Sequence, residues 1–471
     1  MTNHPEAKSS DDEMIDIQIE ESLVRESLMS IDASNFKEDV MNLLGFAAIL
    51  CLMMVVGIYG PPAILSHSVT QPFAEILSLE AKEITPDFRF VDYEMFFTRN
   101  TNDKIYEPIQ FQSNLQYTIF AYNKAGKIEH QFHMMFNNKT ININPNSYKS
   151  DRIRIYRDRI IDFSSITFEI VFLNSQDIID KYGQDQINVT VSVNYGSKEN
   201  TLFQIYFRFI FSAFVIFFLV SMIKHLYPTP IKLWHLEQKL TVPLLALCVL
   251  YNNPLYILHA KSPTYVYILW NTIATSVFTA YFQFFILVLF DSLRYKNRKT
   301  DRFFFWPKIS FCIILFLSSV IHGIYDDISS FHGTSADNYD HVEEILRWTQ
   351  IMLNLFYVIW STITIILAGI QIDIIERYKF YMYVATGGTS LFVFSIVRVV
   401  FSALKLFQNS AIHFVIIFSI QNSFVLMMMY FHWPYEVIND QTYADEAEKE
   451  KAAIEPSEFF NNDQPIDNQN P

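Results

Sequence analysis

Eight long apolar runs constrain this chain more than any other feature. They lie near 40–59, 204–223, 241–259, 265–290, 303–324, 346–370, 380–404 and 412–431. A helix needs about 20 such residues to cross the hydrocarbon core of a bilayer. Unbroken runs, unlike amphipathic periods, mark a chain whose solvent is lipid. Composition agrees: 51% of residues are apolar without counting glycine, and 44 Phe and 26 Tyr supply much of that. The expected fold class is a polytopic α-helical membrane protein with eight spans, one followed later by seven.

Charge sets the orientation. The loops at 224–240, 291–302 and 371–379 carry ten Lys and Arg, whereas those at 260–264, 325–345 and 405–411 carry only Lys261 and Lys405. Short basic loops stay in the cytosol, so both termini are expected there. Residues 1–39 hold 11 acids and 3 bases, and residues 432–471 hold 10 acids and 2 bases. Each tail is therefore −8, and of the net −14 the remaining body keeps +2. Acidic, polar tails of this kind read as disordered cytosolic segments. No basic stripe lies on a soluble element, so nucleic acid is not an expected partner. The first run is long for a cleaved signal peptide and follows 39 polar residues, so it reads as an uncleaved signal anchor, with cleavage as the alternative.

Residues 60–203 change character. Ile166, Phe168, Ile170 and Phe172 alternate with Thr167, Glu169 and Val171, and Val189, Val191 and Val193 alternate with Thr190, Ser192 and Asn194. Ile153 and Ile155 alternate with Arg152 and Arg154, and 117–122 is a further β-rich run. Period-two patterning with turn residues between predicts an all-β sandwich, placed on the lumenal or extracellular side. Cys51, Cys248 and Cys312 all lie in apolar runs, so this domain has no disulfide and must stand on its apolar core. Asn138 and Asn188 open glycosylation sequons. Asn138 is the favoured acceptor, because Asn188 opens a strand.

Several stretches carry a family resemblance: Gly57-Ile58-Tyr59-Gly60-Pro61 after the first run, Tyr206-Phe207-Arg208-Phe209 entering the second, Glu237-Gln238-Lys239 and Leu250-Tyr251-Asn252-Asn253-Pro254 in the third, and Pro307-Lys308 opening the fifth. Together with the one-plus-seven layout, they make residues 57–433 resemble the Wntless-like and transmembrane protein 181 family. The resemblance implies a GOLD-like lumenal sandwich on a bundle similar to that of G-protein-coupled receptors. It also implies a role in carrying a secreted, lipid-modified cargo. The absence of lumenal cysteines departs from Wntless, so the cargo is not carried over with the fold.

Polar residues at membrane depth are the candidate site, since hydrocarbon offers them no partner. They are Asn252 and Asn253 before Pro254, Asn271, Gln283, Asn354, Arg398 and Asn422. One reading is hydrogen-bonded glue between helices. The other is a polar cavity for a ligand or lipid headgroup. Arg398 either snorkels to the exported surface or faces that cavity. Gly387-Gly388 is a close-packing or kink site. Tyr435 and Ile438 fit a Tyr-x-x-Φ adaptor signal, or serve as an interfacial anchor. No pairing of acids, histidines or nucleophiles suggests catalysis, a metal or a cofactor. The expected function is a cargo or trafficking receptor of the Golgi, endosome or plasma membrane, with membrane lipids, a secreted ligand and trafficking adaptors as partners. The alternative is a seven-helix signalling receptor, although Asn253-Pro254-Leu255-Tyr256 is one residue short of the receptor motif Asn-Pro-x-x-Tyr. A channel or transporter has less support, for want of charged pathway residues or repeated halves.

Overall fold

A computed structural model describes residues 28–34, 36–81, 84, 90–99, 109–143, 148–158, 161, 163–183, 187–261, 264–294, 302–329, 337–372, 376–391 and 411–435. Seven helices among them are long and apolar enough to cross a membrane. The first span is Phe36–Ile58, the second Lys198–Leu226 and the fourth Tyr265–Ser292. The fifth is Arg302–Ser329, the sixth Asp337–Gln371 and the eighth Ala411–Phe431. The third is Leu236–Asn252 followed, after a break, by Tyr256–Lys261. The seventh apolar run begins as the helix Arg377–Tyr383, continues through a π-helical segment Val384–Gly388, and is described as far as Leu391.

The fourth and eighth spans are the central helices of the bundle and the most buried. The eighth packs on the first, second and third, and the fourth on the third, fifth and sixth. Phe278, Phe282, Phe285, Phe418 and Phe424 fill the seam between them. The first span joins this bundle through two glycines. A Cβ at Gly57 would stand 3.1 Å from Ile412 Cα and 3.2 Å from Val415 Cβ, and one at Gly60 would stand 2.8 Å from Ala411 Cβ. Small residues allow such close helix contact, which in lipid rests on packing and not on the hydrophobic effect. The Gly57–Gly60 stretch therefore has a packing reason. Replacing Gly57 by Leu is expected to wedge the first span off the eighth at a cost of about 1–3 kcal/mol. A lowered melting temperature in detergent is the readout, and an unchanged one would show the contact to be slack.

Between the first two spans lies the sandwich. Its strands are β2 (Ile64–Pro72), β3 (Ile76–Ala81), β4 (Val91–Arg99), β5 (Ile109–Tyr122), β6 (Ile128–Ile143), β7 (Ile153–Asp158), β8 (Ser165–Phe172) and β9 (Ile187–Gly196), after the two-residue β1 (Leu28–Met29). One antiparallel sheet runs β2-β9-β4-β7 and the other β3-β8-β5-β6. The inward residues of β8 are those that alternate in the sequence: Ile166, Phe168, Ile170 and Phe172 are all buried. Phe168 stacks between Tyr93 and Tyr117, with ring centroids at 5.2 and 5.7 Å. No disulfide is needed to hold a core of this size.

The amino-terminal segment corrects the expectation of a disordered tail over 1–39. Its residues 28–34 form β1 and a helical turn, Ser30–Ala33, and β1 pairs antiparallel with β10 (Pro434–Tyr435) beyond the eighth span. Met29 and Ile31 are the physical reason, for both bury their side chains in the bundle core.

Candidate functional site

Pro254 shapes the bundle interior. It lacks an N–H and cannot continue the third helix, which ends at Asn252 with Asn253 in the left-handed region at φ 47°. Asn tolerates that conformation better than most residues. Where the helix breaks, Arg208 Nη1 of the second span donates to the Tyr251 carbonyl at 3.2 Å.

The expected polar residues are joined in three pairs. Asn252 Nδ2 donates to Asn422 Oδ1 at 2.8 Å, while Asn422 Nδ2 donates to the Phe418 carbonyl at 2.9 Å. Cys248 Sγ lies 3.3 Å from the same Asn422 oxygen. Asn253 Nδ2 donates to Asn271 Oδ1 at 3.2 Å, and Gln283 Nε2 to Asn354 Oδ1 at 3.2 Å. These bonds tie the third span to the eighth, the third to the fourth, and the fourth to the sixth. They follow the glue reading more closely than a ring about one space. Yet Asn252 Oδ1, Asn253 Oδ1 and Gln421 Oε1 are buried and make no hydrogen bond among the described residues. Asn422→Leu removes the acceptor of two neighbours and is expected to cost about 1–2 kcal/mol. Thermal unfolding checks it, and a loss confined to ligand binding would favour the cavity reading. Arg398 and Ile438 lie outside the described residues. Tyr435 lies in β10, its backbone paired with Leu28.

Arg208 was visible in the sequence only as part of a family stretch, and it is the buried cation of the site. Its guanidinium lies 4.5 Å from the Tyr256 ring centre and 5.3 and 5.4 Å from those of Phe414 and Phe418. Aromatic faces attract a cation, most strongly where water is excluded. Tyr256 OH in turn donates to Gln204 Oε1 at 3.0 Å. An arginine flanked by Tyr206, Phe207 and Phe209 gives its sequence signal by depth alone, eleven residues into the second span.

At the opposite end of the bundle, on the side of the basic loops, His432 sits one residue beyond the eighth span and is fully buried. Its Nδ1 lies 2.7 Å from Thr241 Oγ1 and its Nε2 2.9 Å from Tyr383 OH. Thr241 donates its own hydroxyl to the Glu237 carbonyl at 2.8 Å, so it must accept from His432 Nδ1–H. Nε2 then accepts from Tyr383. The ring is neutral in this arrangement, and burial, aided by Lys379 and His235 and opposed by Glu237, lowers its pKa to about 4.

The sandwich meets the bundle through charges on β7. Arg154 lies 3.6 Å from Asp92 and 4.0 Å from Glu343 at the start of the sixth span, and Arg157 lies 3.5 Å from Asp326 at the end of the fifth. Arg152 pairs with Glu94 at 3.0 Å within the sandwich.

An inserted antiparallel sandwich on a multi-helix bundle with a broken third span defines an integral membrane protein built from two units. The profile of the Wntless-like transmembrane domain matches residues 197–436, and the chain belongs to the Wntless-like family. No curated protein matches the sequence.

Proposed function

We propose that the protein is a receptor for a secreted ligand, a protein or a lipid-modified protein, which it binds through the sandwich and the bundle interior and escorts or senses along the secretory pathway. In this reading the sandwich, GOLD-like as in Wntless, faces the lumen or exterior, both termini face the cytosol, and the chain is not an enzyme. The β7 junction carries the reading. Because Arg154 and Arg157 join the sandwich to the ends of the fifth and sixth spans, a ligand held by the sandwich is coupled to the helices beneath it. The buried oxygens of Asn252, Asn253 and Gln421 offer polar positions inside the bundle.

Comparing the proteins secreted by cells with and without the chain tests the proposal. A receptor of this kind predicts that a small set of secreted proteins falls severalfold in the medium, and that the same proteins crosslink to a photoreactive residue placed at position 154. An unchanged secreted set would overturn it.

Asn138 is the proposed glycan acceptor. The register of the edge strand β6 jumps there, from Ser113↔Lys139 to Leu115↔Phe136, which leaves a bulge at the sequon. Asn188 lies in β9 between β2 and β4. Asn138→Gln should abolish a glycosidase-sensitive gel shift that Asn188→Gln retains, and a shift that survives Asn138→Gln would refute the assignment.

A further inference from the structure

The segment before the first span crosses the basic-loop end of the bundle and binds two helices at once. On the eighth-span side, β1 pairs with β10, and Ser30 N donates to the Trp433 carbonyl at 2.8 Å. On the seventh-span side, Asp32 forms an ion pair with Lys379, each side chain being 21% exposed. Asp39, in the first turn of the first span, completes the strap. It is fully buried and accepts from Ser34 Oγ at 2.7 Å, from Tyr378 OH, and from Tyr430 OH of the eighth span at 3.3 Å. A buried carboxylate is tolerated only when hydrogen bonds replace its lost water, and here three hydroxyls from three elements do so.

The seventh-span helix has a weak point close to these contacts. Five residues beyond Lys379 it becomes the π-helical segment Val384–Gly388. Single π turns within α-helices mark sites where the register shifts, often at functional positions. Gly387 packs against Phe290 and Phe424 with room for only ordinary contact, at 3.5 Å from a would-be Cβ, and presents no side chain that would lock the segment. The strap therefore holds the helix below the point at which it bends most easily.

We infer that residues 28–34, together with Asp39 in the first turn of the first span, act as a latch that fixes the basic-loop end of the seventh span against the eighth, and that release of the latch frees the seventh span to move about its π segment.

Amide hydrogen exchange on the full chain in lipid nanodiscs tests it. Two variants loosen the strap by different routes. Lys379→Asp sets like charges against Asp32. Ser30→Pro removes the N–H bond to Trp433 while keeping a residue that suits the first position of a helical turn. Each is expected to speed exchange over 377–391 by about threefold to tenfold, the worth of one or two hydrogen bonds, with residues 274–290 of the fourth span unchanged. The pair Asp32→Lys with Lys379→Asp should restore the slow exchange. Unchanged exchange over 377–391 in Ser30→Pro would overturn the latch, as would an equal rise across all spans, which would mark the strap as general support for the fold.

Discussion

Acidification from pH 7 to about pH 4 is expected to remove about 3 kcal/mol of bundle stability through His432 alone. The folded pKa, about 4, lies below the ordinary 6.5. The unfolded chain thus binds a proton that the folded chain refuses. The stabilising contribution is complete above pH 6.5 and is lost as the pH falls from there toward 4. Protonation would also turn Nε2 into a donor, and the Tyr383 hydroxyl that now donates to it would have to reorient. Thermal melts of the wild type and of His432→Gln at several pH values separate this effect from that of the carboxylates, which titrate in both. A wild-type slope no steeper than that of His432→Gln between pH 6.5 and 4.5 would refute it. A chain that passes through acidic compartments would meet part of this window.

The second large effect lies in the sandwich. Phe168→Ala is expected to cost about 3–5 kcal/mol, because it empties the space between two stacked tyrosines and leaves a cavity that close-packed neighbours cannot fill. Phe168 is 1% exposed and touches both sheets through Tyr93 and Tyr117. A domain of this size has only about 5–15 kcal/mol in total, so protease sensitivity of the sandwich should rise by orders of magnitude while the bundle stays intact. Cleavage within residues 60–196 at an unchanged rate would show that the core closes over the loss.

How much was legible in the sequence varies by element. β8 declares itself, since one face is buried and the other is half-buried, and the side chains record that with period two; β9 keeps the period in its valines although Thr190 and Ser192 on its other face are buried as well. β2 does not. Of its nine residues only Ile64 and Val69 are even half-buried, and its place is fixed by pairing with β9. The broken third span was visible in Asn253-Pro254, because proline acts locally. The kink or close-packing expected at Gly387-Gly388 is a π segment packed on Phe290 and Phe424. The strap was hidden because its acids outweigh two apolar side chains, Met29 and Ile31, whose burial depends on a surface built 200 to 400 residues later. Arg208 carries a weak sequence signal for a related reason. Its partners, the Tyr251 carbonyl and three rings from the third and eighth helices, exist only after folding.

The pairing of β2 with β9 starts at Ile64↔Gly196, and this has a consequence for how the molecule is connected. Ser197 N donates to the Ala63 carbonyl at 3.0 Å, and Ser197 Oγ caps the second span by accepting from Asn200 N at 3.4 Å. The sandwich therefore enters and leaves through two strands lying side by side, a few ångströms apart. Neighbouring ends make a domain insertable. The covalent attachment of the sandwich is thus this one two-strand stem, and its other ties to the helices include the side-chain contacts of Arg154 with Glu343 and Arg157 with Asp326. The family match begins at residue 197, just past that stem. In chain connectivity, then, the sandwich is a side excursion from the bundle, and the order of the helices is the same with it or without it.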